Sequence, residues 1–445
     1  MKRLFRFFLF TTAFVSVETA SAQVREFTIG ADANSIVREV NGDTLLIYTE
    51  VSPTESYFVY YINGDATARA FRLPVLPSLK VNDVRVVDDE YAYFCGSVNL
   101  GGVSEGLVGR FRIQDVFTGT GSVEYGHFDG FPDNDIKIES LQRLDMYNAR
   151  GFDCMAMVGV GLCDGIAVYP VVSAYQNGGL WEFNTTVQKQ YFGFTDIACL
   201  DNMVVATGLL FEDSSCIVKS FWIDTNLPAN ECYPGYIHRF TYGNVKGRPL
   251  IAQYKNDTAV VAYFDVPSLV NTVLQRQPFD VSTGKPLPNS LARVAPHSSL
   301  PFSSGWNLLE LAAVDDSVFL LQHASYPPIL YIPPILEYWR LRAQFALPVM
   351  EAWTPQYGTQ HSMDVSHAGM LTSKSTANNF LLHGPAWPSA DNGCHNFQMV
   401  NVDNINVNVK EIEVGIDKDH TDSSVIPLSP TVFSINAEVI CNSYK

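Results

Sequence analysis

The sequence predicts an all-β fold. Long stretches with helical periodicity are absent, and short apolar runs bounded by Gly, Asn, Asp and Pro fill the chain. The 445 residues include 21 Tyr and 28 Phe, and aromatic residues are enriched in strands. Charged residues make up 17% of the chain and hydrophobic residues 47%, a composition that excludes a disordered protein.

One element recurs along the chain: a strand, a short turn rich in Asn and Asp, and a second, more hydrophobic strand. Asn and Asp favour such turns because they tolerate a left-handed backbone and hydrogen-bond within their own turn. Successive turns begin 47 to 59 residues apart. The turns begin at Asn41, Asp88, Tyr147, Asp201, Asn256, Asp315 and, in a weaker copy, His367.

A third strand follows each hairpin, and a fourth, more polar strand ends the unit. We assign residues 69–74, 238–243, 343–348 and 410–415 as copies of this fourth strand. Four antiparallel strands in each period are typical of a β-propeller blade, which buries its faces against its neighbours. We therefore predict a single propeller of seven four-stranded blades. Six or eight blades, or two stacked sandwiches, are the alternatives.

The first segment has the form of an export signal. Three of the first six residues are basic, an apolar stretch follows, and Ala20 and Ala22 form a small-residue cleavage site. We predict that residues 1–22 are a signal peptide and that the protein is exported to the periplasm, the cell surface or the medium. No later stretch is apolar and long enough to span a membrane.

Residues 23–445 are predicted to form the propeller. Residues 25–30 have the fourth-strand pattern but precede the first unit, so we expect them to close the ring. We expect the tail strand, residues 431–440, to join this closure. The arrangement resembles that of large secreted bacterial propeller proteins over about residues 25–440. That resemblance is one of architecture and implies no activity, because one fold hosts many functions.

The net charge and the absence of several catalytic motifs narrow the range of possible functions. A net charge of −17 argues against nucleic-acid binding, which needs Lys and Arg to neutralise phosphates. The phosphate loop, the zinc-protease motif and the serine nucleophile elbow are all absent. The eight Cys contain no C-x-x-C pair, and export permits disulfides without indicating their connectivity. The sequence predicts no cofactor and no metal site.

Three acidic residues occupy equivalent positions in the opening strands of their units. Asp83, Asp196 and Glu310 each lie five residues before the turn, where other units have residues such as Gln142. Opening strands line the central channel of a propeller, so we expect these carboxylates at one level around the axis. Such carboxylates could raise one another's pKa for acid catalysis or bind a cation. Alternatively, each hydrogen-bonds the backbone of the next blade.

A Pro-rich segment is the predicted binding surface. It contains the tetrapeptide P-P-I-L twice, and paired prolines cannot donate to a β-ladder. An exposed apolar segment of this length usually marks contact with a partner, although a loop packed on the sixth blade is equally compatible. The predicted binding residues are Pro327, Pro328, Ile329, Leu330, Pro333, Pro334, Ile335 and Leu336.

Three hydroxyl residues lie in Asp-Thr or Asp-Ser pairs at the first hairpin turns. Thr44, Thr258 and Ser317 match an acceptor pattern of bacterial O-glycosylation, although turn chemistry alone also explains the pairs. Our leading prediction is a non-enzymatic propeller that binds a protein or glycan partner; membership of a cell-surface assembly is one form of this prediction. The alternative is a carbohydrate-active enzyme, a lyase or glycoside hydrolase, that uses the axial carboxylates.

Overall fold

The all-β prediction is confirmed: the computed structural model consists of curled antiparallel sheets with almost no helix. The predicted signal peptide, the Pro-rich residues 326–334 and the predicted strand at 343–348 lie outside the residues that the structure describes. The described residues are 23–29, 35–52, 54–73, 79–131, 136–149, 152–162, 166–177, 180–187, 192–201, 203–210, 215–223, 232–241, 245–265, 271–288, 291–296, 305–314, 317–325, 335–341, 349–355, 359–366, 369–375, 380–386, 395–401, 403–412 and 417–442.

The strands follow one another closely along the chain. The first part contains β1 (Gln23–Phe27), β2 (Ser35–Glu39), β3 (Thr44–Ser52), β4 (Glu55–Ile62), β5 (Thr67–Arg72), β6 (Lys80–Val87), β7 (Tyr91–Leu100), β8 (Val103–Arg112), α1 (Ile113–Thr118), β9 (Val123–Phe128), β10 (Gly130–Phe131), β11 (Ile136–Lys137), β12 (Ser140–Ala149), β13 (Phe152–Leu162), β14 (Ile166–Asn177) and β15 (Leu180–Val187). The middle part contains β16 (Phe192–Leu200), β17 (Met203–Leu210), β18 (Ser215–Ile223), β19 (Cys232–Thr241), β20 (Val245–Lys255), β21 (Thr258–Asp265), β22 (Asn271–Asp280), β23 (Lys285–Pro286) and β24 (Leu291–Pro296). The last part contains β25 (Gly305–Val314), β26 (Ser317–Ser325), β27 (Ile335–Leu341), β28 (Val349–Pro355), β29 (Thr359–Ser366), β30 (Gly369–Ser375), β31 (Phe380–Ala386), β32 (His395–Asn401), β33 (Asp403–Ile405), β34 (Asn408–Ile412), β35 (Asp417–Ser424), β36 (Ile426–Leu428) and β37 (Val432–Asn442).

Consecutive strands pair as antiparallel meanders. We call β2, β6, β12, β16, β20, β25 and β29 the opening strands, because each starts a meander that runs outward through the strands that follow it. The strands on either side of each predicted turn pair as a hairpin. The predicted turn onset at Tyr147 is wrong, because Tyr147 lies within β12, and His367 lies outside the described residues. At the second turn, Asp88 and Asp89 adopt positive φ angles of 51° and 57°, in agreement with the expected role of Asp in these turns.

Bulges interrupt several opening strands at one register. The ladder shifts between Val81 and Asp83 in β6 and between Phe194 and Asp196 in β16. Glycine on the neighbouring strand allows the bulged backbone to approach. A Cβ atom at Gly96 would overlap the carbonyl oxygen of Lys80, and one at Gly208 would overlap a backbone carbonyl of β16 in the same way. The same bulge precedes Arg143 and Glu310.

The hydrophobic core lies between the faces of neighbouring sheets. One cluster joins the β2–β5 meander to the β6–β9 meander and centres on the rings of Phe58, Phe71, Phe94 and Phe111. A second cluster lies between the β16–β18 and β20–β22 strands, where Val205 and Val261 are fully buried. Each sheet is therefore apolar on faces that meet another sheet, which explains the near-continuous hydrophobicity of the second strands.

The C-terminal segment adds an edge strand to one meander after another. We call β32 to β37 the C-terminal edge strands. They pair antiparallel with β28, β24, β19, β15, β9 and β5, in that order, so the segment passes the meanders in the reverse of their chain order. The assignment of residues 410–415 as the fourth strand of the last unit is therefore wrong, because β34 pairs with β19. Local pattern identified the strand, but its partner lies far away in the sequence.

The N-terminal strand lies between the first and last meanders. β1 pairs on one side with β31 and on the other with β37, which itself pairs with β5. Phe27 is completely buried, and its ring meets that of Tyr61 edge to face at 5.1 Å. The strand begins and ends slightly earlier than the predicted residues 25–30.

Candidate functional site

Among the described residues, seven charged side chains from five opening strands form one network of charge interactions. They project from β2, β6, β12, β16 and β25, and we call them the central ion cluster. Its members are Arg38, Arg85, Arg143, Asp83, Asp145, Asp196 and Glu310. Four carboxylates and three guanidinium groups leave the cluster with one formal negative charge.

Arg38 bonds two carboxylates and two backbone carbonyl oxygens. Its Nη2 lies 2.9 Å from Oδ1 of Asp83 and 3.5 Å from Oε1 of Glu310, and all three side chains are buried. Its Nε and Nη1 donate to the backbone carbonyls of Val84 and Val37 at 2.7 and 2.9 Å. Such buried ions need these additional bonds because the desolvation of a charge costs several kcal/mol.

The other two arginines extend the network. Nη1 of Arg143 lies 3.1 Å from Oε2 of Glu310. Arg85 lies between two acids, with 3.5 Å from Nη1 to Asp83 and 3.6 Å from Nε to Asp145. Side chains of Arg85, Arg143 and Asp145 remain 20–28% exposed, so solvent reaches the cluster at its edges.

Three aspartates of the cluster also join neighbouring meanders through the backbone. We call Asp83, Asp145 and Asp196 the linking aspartates. One carboxylate oxygen of each accepts the N–H of the next residue, at 2.9–3.0 Å. The other oxygen accepts an N–H from the next opening strand. These second donors are Leu144 for Asp83 (3.1 Å), Cys199 for Asp145 (2.7 Å) and Ile251 for Asp196 (2.9 Å).

The environment separates the pKa values of these acids. Burial would raise the pKa of Asp83, but the guanidinium groups of Arg85, Arg38 and Arg143 together lower it below its ordinary value. Burial raises the pKa of Asp196 to about 7, and only Arg143 and two backbone N–H groups oppose that effect. Burial likewise raises the pKa of Asp145, against the lowering effect of Arg85. Asp196 is thus the acid most ready to carry a proton near neutral pH.

The structure therefore places each candidate acid from the sequence. Asp83 and Glu310 meet around Arg38, while Asp196 lies on the Arg143 side of the cluster. Both oxygens of Asp83 and both of Asp196 accept backbone N–H groups. For Asp83 and Asp196 this is the backbone bonding expected as the alternative to catalysis, whereas Glu310 pairs with Arg38 and Arg143.

The sequence pattern predicts the acidic half of the cluster and does not predict the basic half. Counting back from the turn places Gln142 at the level of Asp83, but β12 continues to Ala149, and the residue that follows its bulge, as Asp83 does in β6, is Arg143. One sequence pattern could have predicted the arginines of the cluster. Asp83 precedes Arg85 by two residues and Arg143 precedes Asp145 by two residues, so adjacent strands carry the same charge pair in opposite order.

Two cavities open at the two ends of the opening strands, with the central ion cluster between them. The cavity at their C-terminal ends has about 690 Å³, and its lining within the described part of the chain includes two basic and four acidic side chains. We call it the acidic cavity. The cavity at their N-terminal ends has about 530 Å³, and three basic side chains and one acid line it. We call it the basic cavity. Glu310 lines both.

The other predicted site residues are only partly visible. Pro327 to Pro334 lie outside the described part of the chain, and Ile335 and Leu336 begin β27, where they pair with Ala324 and His323. Thr44 and Thr258 are buried and Ser317 is partly exposed, so modification of the two threonines would have to precede folding. The binding and modification assignments stay predictions.

Several site types receive no support within the described ranges. No group of three or more His, Cys, Asp or Glu side chains there could hold a metal ion. Cys95, Cys199 and Cys216 are buried thiols, and burial raises the pKa of Cys95 and raises that of Cys216 to about 12, which makes them poor nucleophiles. Among these residues, no helix has the length and apolar character needed to cross a membrane.

Known proteins resemble this chain only weakly in structure, and none of the families or curated proteins compared matches it in sequence. Among solved structures, it has a weak likeness to a prolyl endopeptidase, from an analysis of two such enzymes and the role of inter-domain dynamics in their catalysis and specificity. The TM-score is 0.21 and the identity 9%, over 73% of this chain and 55% of that one. The chain thus spans about half the length of that protein, and so weak a likeness carries no argument.

Proposed function

We propose that this protein is an exported, seven-bladed β-propeller that binds a protein or glycan partner and does not act as an enzyme. Contacts between opening strands support the seven blades. Each opening strand contacts the next one along the chain, and β29 contacts β2. The pairing of β1 with both β31 and β37 supports closure of the ring by the N-terminal strand.

One observation carries the choice of binding over catalysis. The carboxylates expected to serve as acid and base are already bonded to guanidinium groups and to backbone N–H donors. A glycoside hydrolase needs two carboxylates that face its substrate, one of them able to give up a proton. Here the acids join neighbouring blades, so they stabilise the ring and leave the two cavities and the outer faces for recognition.

The raised pKa of Asp196 is the observation that favours the enzyme alternative, since a protonated carboxyl at neutral pH is a competent general acid. Both hypotheses can be compared in one experiment. The purified chain is incubated with a panel of neutral and acidic polysaccharides, and both complex formation and release of reducing or unsaturated ends are followed. We expect complexes without products. Product release that disappears in Asp196→Asn would establish the enzyme instead.

Binding through the Pro-rich segment has its own test. The Ile329→Ser/Ile335→Ser double variant should lose partner capture in surface cross-linking on intact cells, or self-association in light scattering, and keep its melting temperature. A loss of about 3 kcal/mol or more in unfolding free energy would instead identify these side chains as core. Binding of a glycan, or of a ligand in one of the two cavities, would then remain as the proposed function.

A further inference from the structure

The basic cavity is unusual for this chain. The protein carries a net charge of −17, yet among the described residues Lys80, Arg143 and Arg248 line this cavity with one acid, Glu310. The acidic cavity at the other end has the opposite balance. A cleft lined by one sign of charge focuses the electrostatic field and concentrates ligands of the other sign.

The three cations differ in their availability. The guanidinium group of Arg143 is held in place, because it bonds Glu310 and the carbonyl oxygen of Leu309. Lys80 is half-buried and Arg248 is exposed, and neither forms an ion pair with any carboxylate of the described residues. Lys80 and Arg248 are therefore the two cations of this lining that can pair with a ligand.

The remaining lining suits an extended polar ligand. Asn82, Gln142 and Thr195 contribute amide and hydroxyl groups. Nδ2 of Asn82 and Nε2 of Gln142 both donate to Oγ of Ser140 at 2.8 Å, which holds the two amides in place. A volume of about 530 Å³ lies within the range of pockets that bind small ligands. Nδ2 of Asn82 also donates to the carbonyl of Leu141, and Oγ1 of Thr195 donates to that of Pro249. The amide oxygens of Asn82 and Gln142 are therefore the groups that can accept hydrogen bonds from hydroxyl groups of a ligand, beside the cations Lys80 and Arg248.

We infer that the basic cavity binds an acidic oligosaccharide, with uronate carboxylates on Lys80 and Arg248 and sugar hydroxyls on the amide groups. Guanidinium groups bind planar carboxylates in a bidentate manner, which gives geometry as well as charge. This inference rests on the proposed binding function and names its ligand class.

Calorimetric titration of the purified full chain tests the inference with three probes. The first is a hexamer of 1,4-linked galacturonate, the second is its methyl ester, which keeps the sugar chain but removes the charge, and the third is inorganic phosphate. We expect the hexamer to bind and to weaken as salt increases. The ester and phosphate should bind at least tenfold more weakly.

Arg248 and Lys255 are both exposed and lie at opposite ends of β20, so Lys255 is the matched control for the variant that removes the charges of Lys80 and Arg248. Lys80→Gln/Arg248→Gln should weaken hexamer binding at least tenfold. Lys255→Gln, at the opposite end of β20 from Arg248, should change it less than twofold. The native protein and both variants should melt at the same temperature, because Arg248 and Lys255 are exposed and Lys80 is half-buried without an ion pair to the described residues.

Each contrary outcome has a separate meaning. Equal binding of hexamer and ester would overturn the inference and leave glycan binding standing. Phosphate binding as tight as the hexamer would show a general anion site and overturn the glycan assignment. Hexamer binding that Lys80→Gln/Arg248→Gln leaves unchanged would place the ligand elsewhere on the protein. No binding of any probe would overturn the inference, and the polysaccharide panel would then decide the proposed function independently.

Discussion

Arg38 and Asp83 form a buried ion pair at 2.9 Å, although 45 residues separate them in the sequence. The pair joins β2 to β6, and Asp83 then joins β6 to β12 through the N–H of Leu144. Asp145 and Asp196 repeat this link between the following opening strands. The charged centre therefore determines how neighbouring meanders are positioned, as well as how the cavities on either side are charged.

Asp83→Asn should destabilise the fold strongly. The change removes the carboxylate that Arg38 and Arg85 share and leaves them the longer contacts with Glu310 and Asp145, and breaking a buried ion pair by removing one partner costs about 3–5 kcal/mol. Urea unfolding followed by tryptophan fluorescence measures the effect. Glu124→Gln is the control, since it removes a half-exposed pair with Arg110 and should cost about 1 kcal/mol or less. Equal costs for the two variants would contradict a structural role of the cluster.

Asp196 should make stability depend on pH near neutrality. Burial raises its pKa to about 7, above the value of roughly 4 in an unfolded chain, so the folded state retains a proton that the unfolded state releases. The contribution of Asp196 is complete below about pH 4 and is lost as the pH rises through 7.

Asp196→Asn isolates this contribution, because an amide does not titrate. The stability of the native protein relative to that of the variant should fall by about 2–3 kcal/mol between pH 5 and pH 8. Urea unfolding at both pH values gives the difference. A difference that stays constant, or grows with pH, would show that Asp196 ionises normally.

The C-terminal edge strands should contribute a large part of the stability. Ile435 is buried and lies in the cluster that also contains Phe27 and Tyr61. Ile435→Ala should cost about 2–4 kcal/mol, whereas Ser434→Ala on the exposed face of the same strand should cost less than about 0.5 kcal/mol. Truncation after residue 394 should lower the melting temperature further and cause aggregation, because it exposes strand edges on several sheets. A truncated chain that melts normally and stays monomeric would contradict this.

Strand β1 should be required for full stability. Deletion of residues 23–31 removes the buried ring of Phe27 and leaves β31 and β37 with unpaired edges. We expect a melting temperature lower by several degrees, since an open ring would expose blade faces. Phe27→Ala alone should lower the unfolding free energy by about 3–5 kcal/mol, and Thr28→Ala, at an exposed position, is its control. An unchanged melting temperature after deletion would argue against closure by this strand.

The exported protein should begin at Gln23. The basic start, the apolar stretch and the small residues Ala20 and Ala22 have the order of a cleaved signal. N-terminal sequencing of protein recovered from the extracytoplasmic fraction measures the cleavage site. Recovery there of a chain that still starts at Met1 would contradict export by signal cleavage.

The sequence by itself determined the secondary structure of this protein well. Hairpin positions follow from short-range chemistry, as at Asp88 and Asp89, where the turn needs residues that accept a left-handed backbone. Short apolar runs predict strands because side chains alternate between two buried faces. The position of three central acids could also be predicted, since equal offsets from equivalent turns place them at one level.

Only the tertiary structure decided which strands pair at the outer edges and which charges meet at the centre. The partner of β34 is β19, which precedes it by well over a hundred residues, and no local pattern encodes that choice. Strand β12 continues to Ala149, past the predicted turn onset at Tyr147, so the residue that follows its bulge, at the level of the acids, is Arg143 in place of Gln142. That one-residue difference, together with Arg38, changes a predicted ring of repelling carboxylates into a paired ion cluster, because the charge of a site depends on every strand that reaches it.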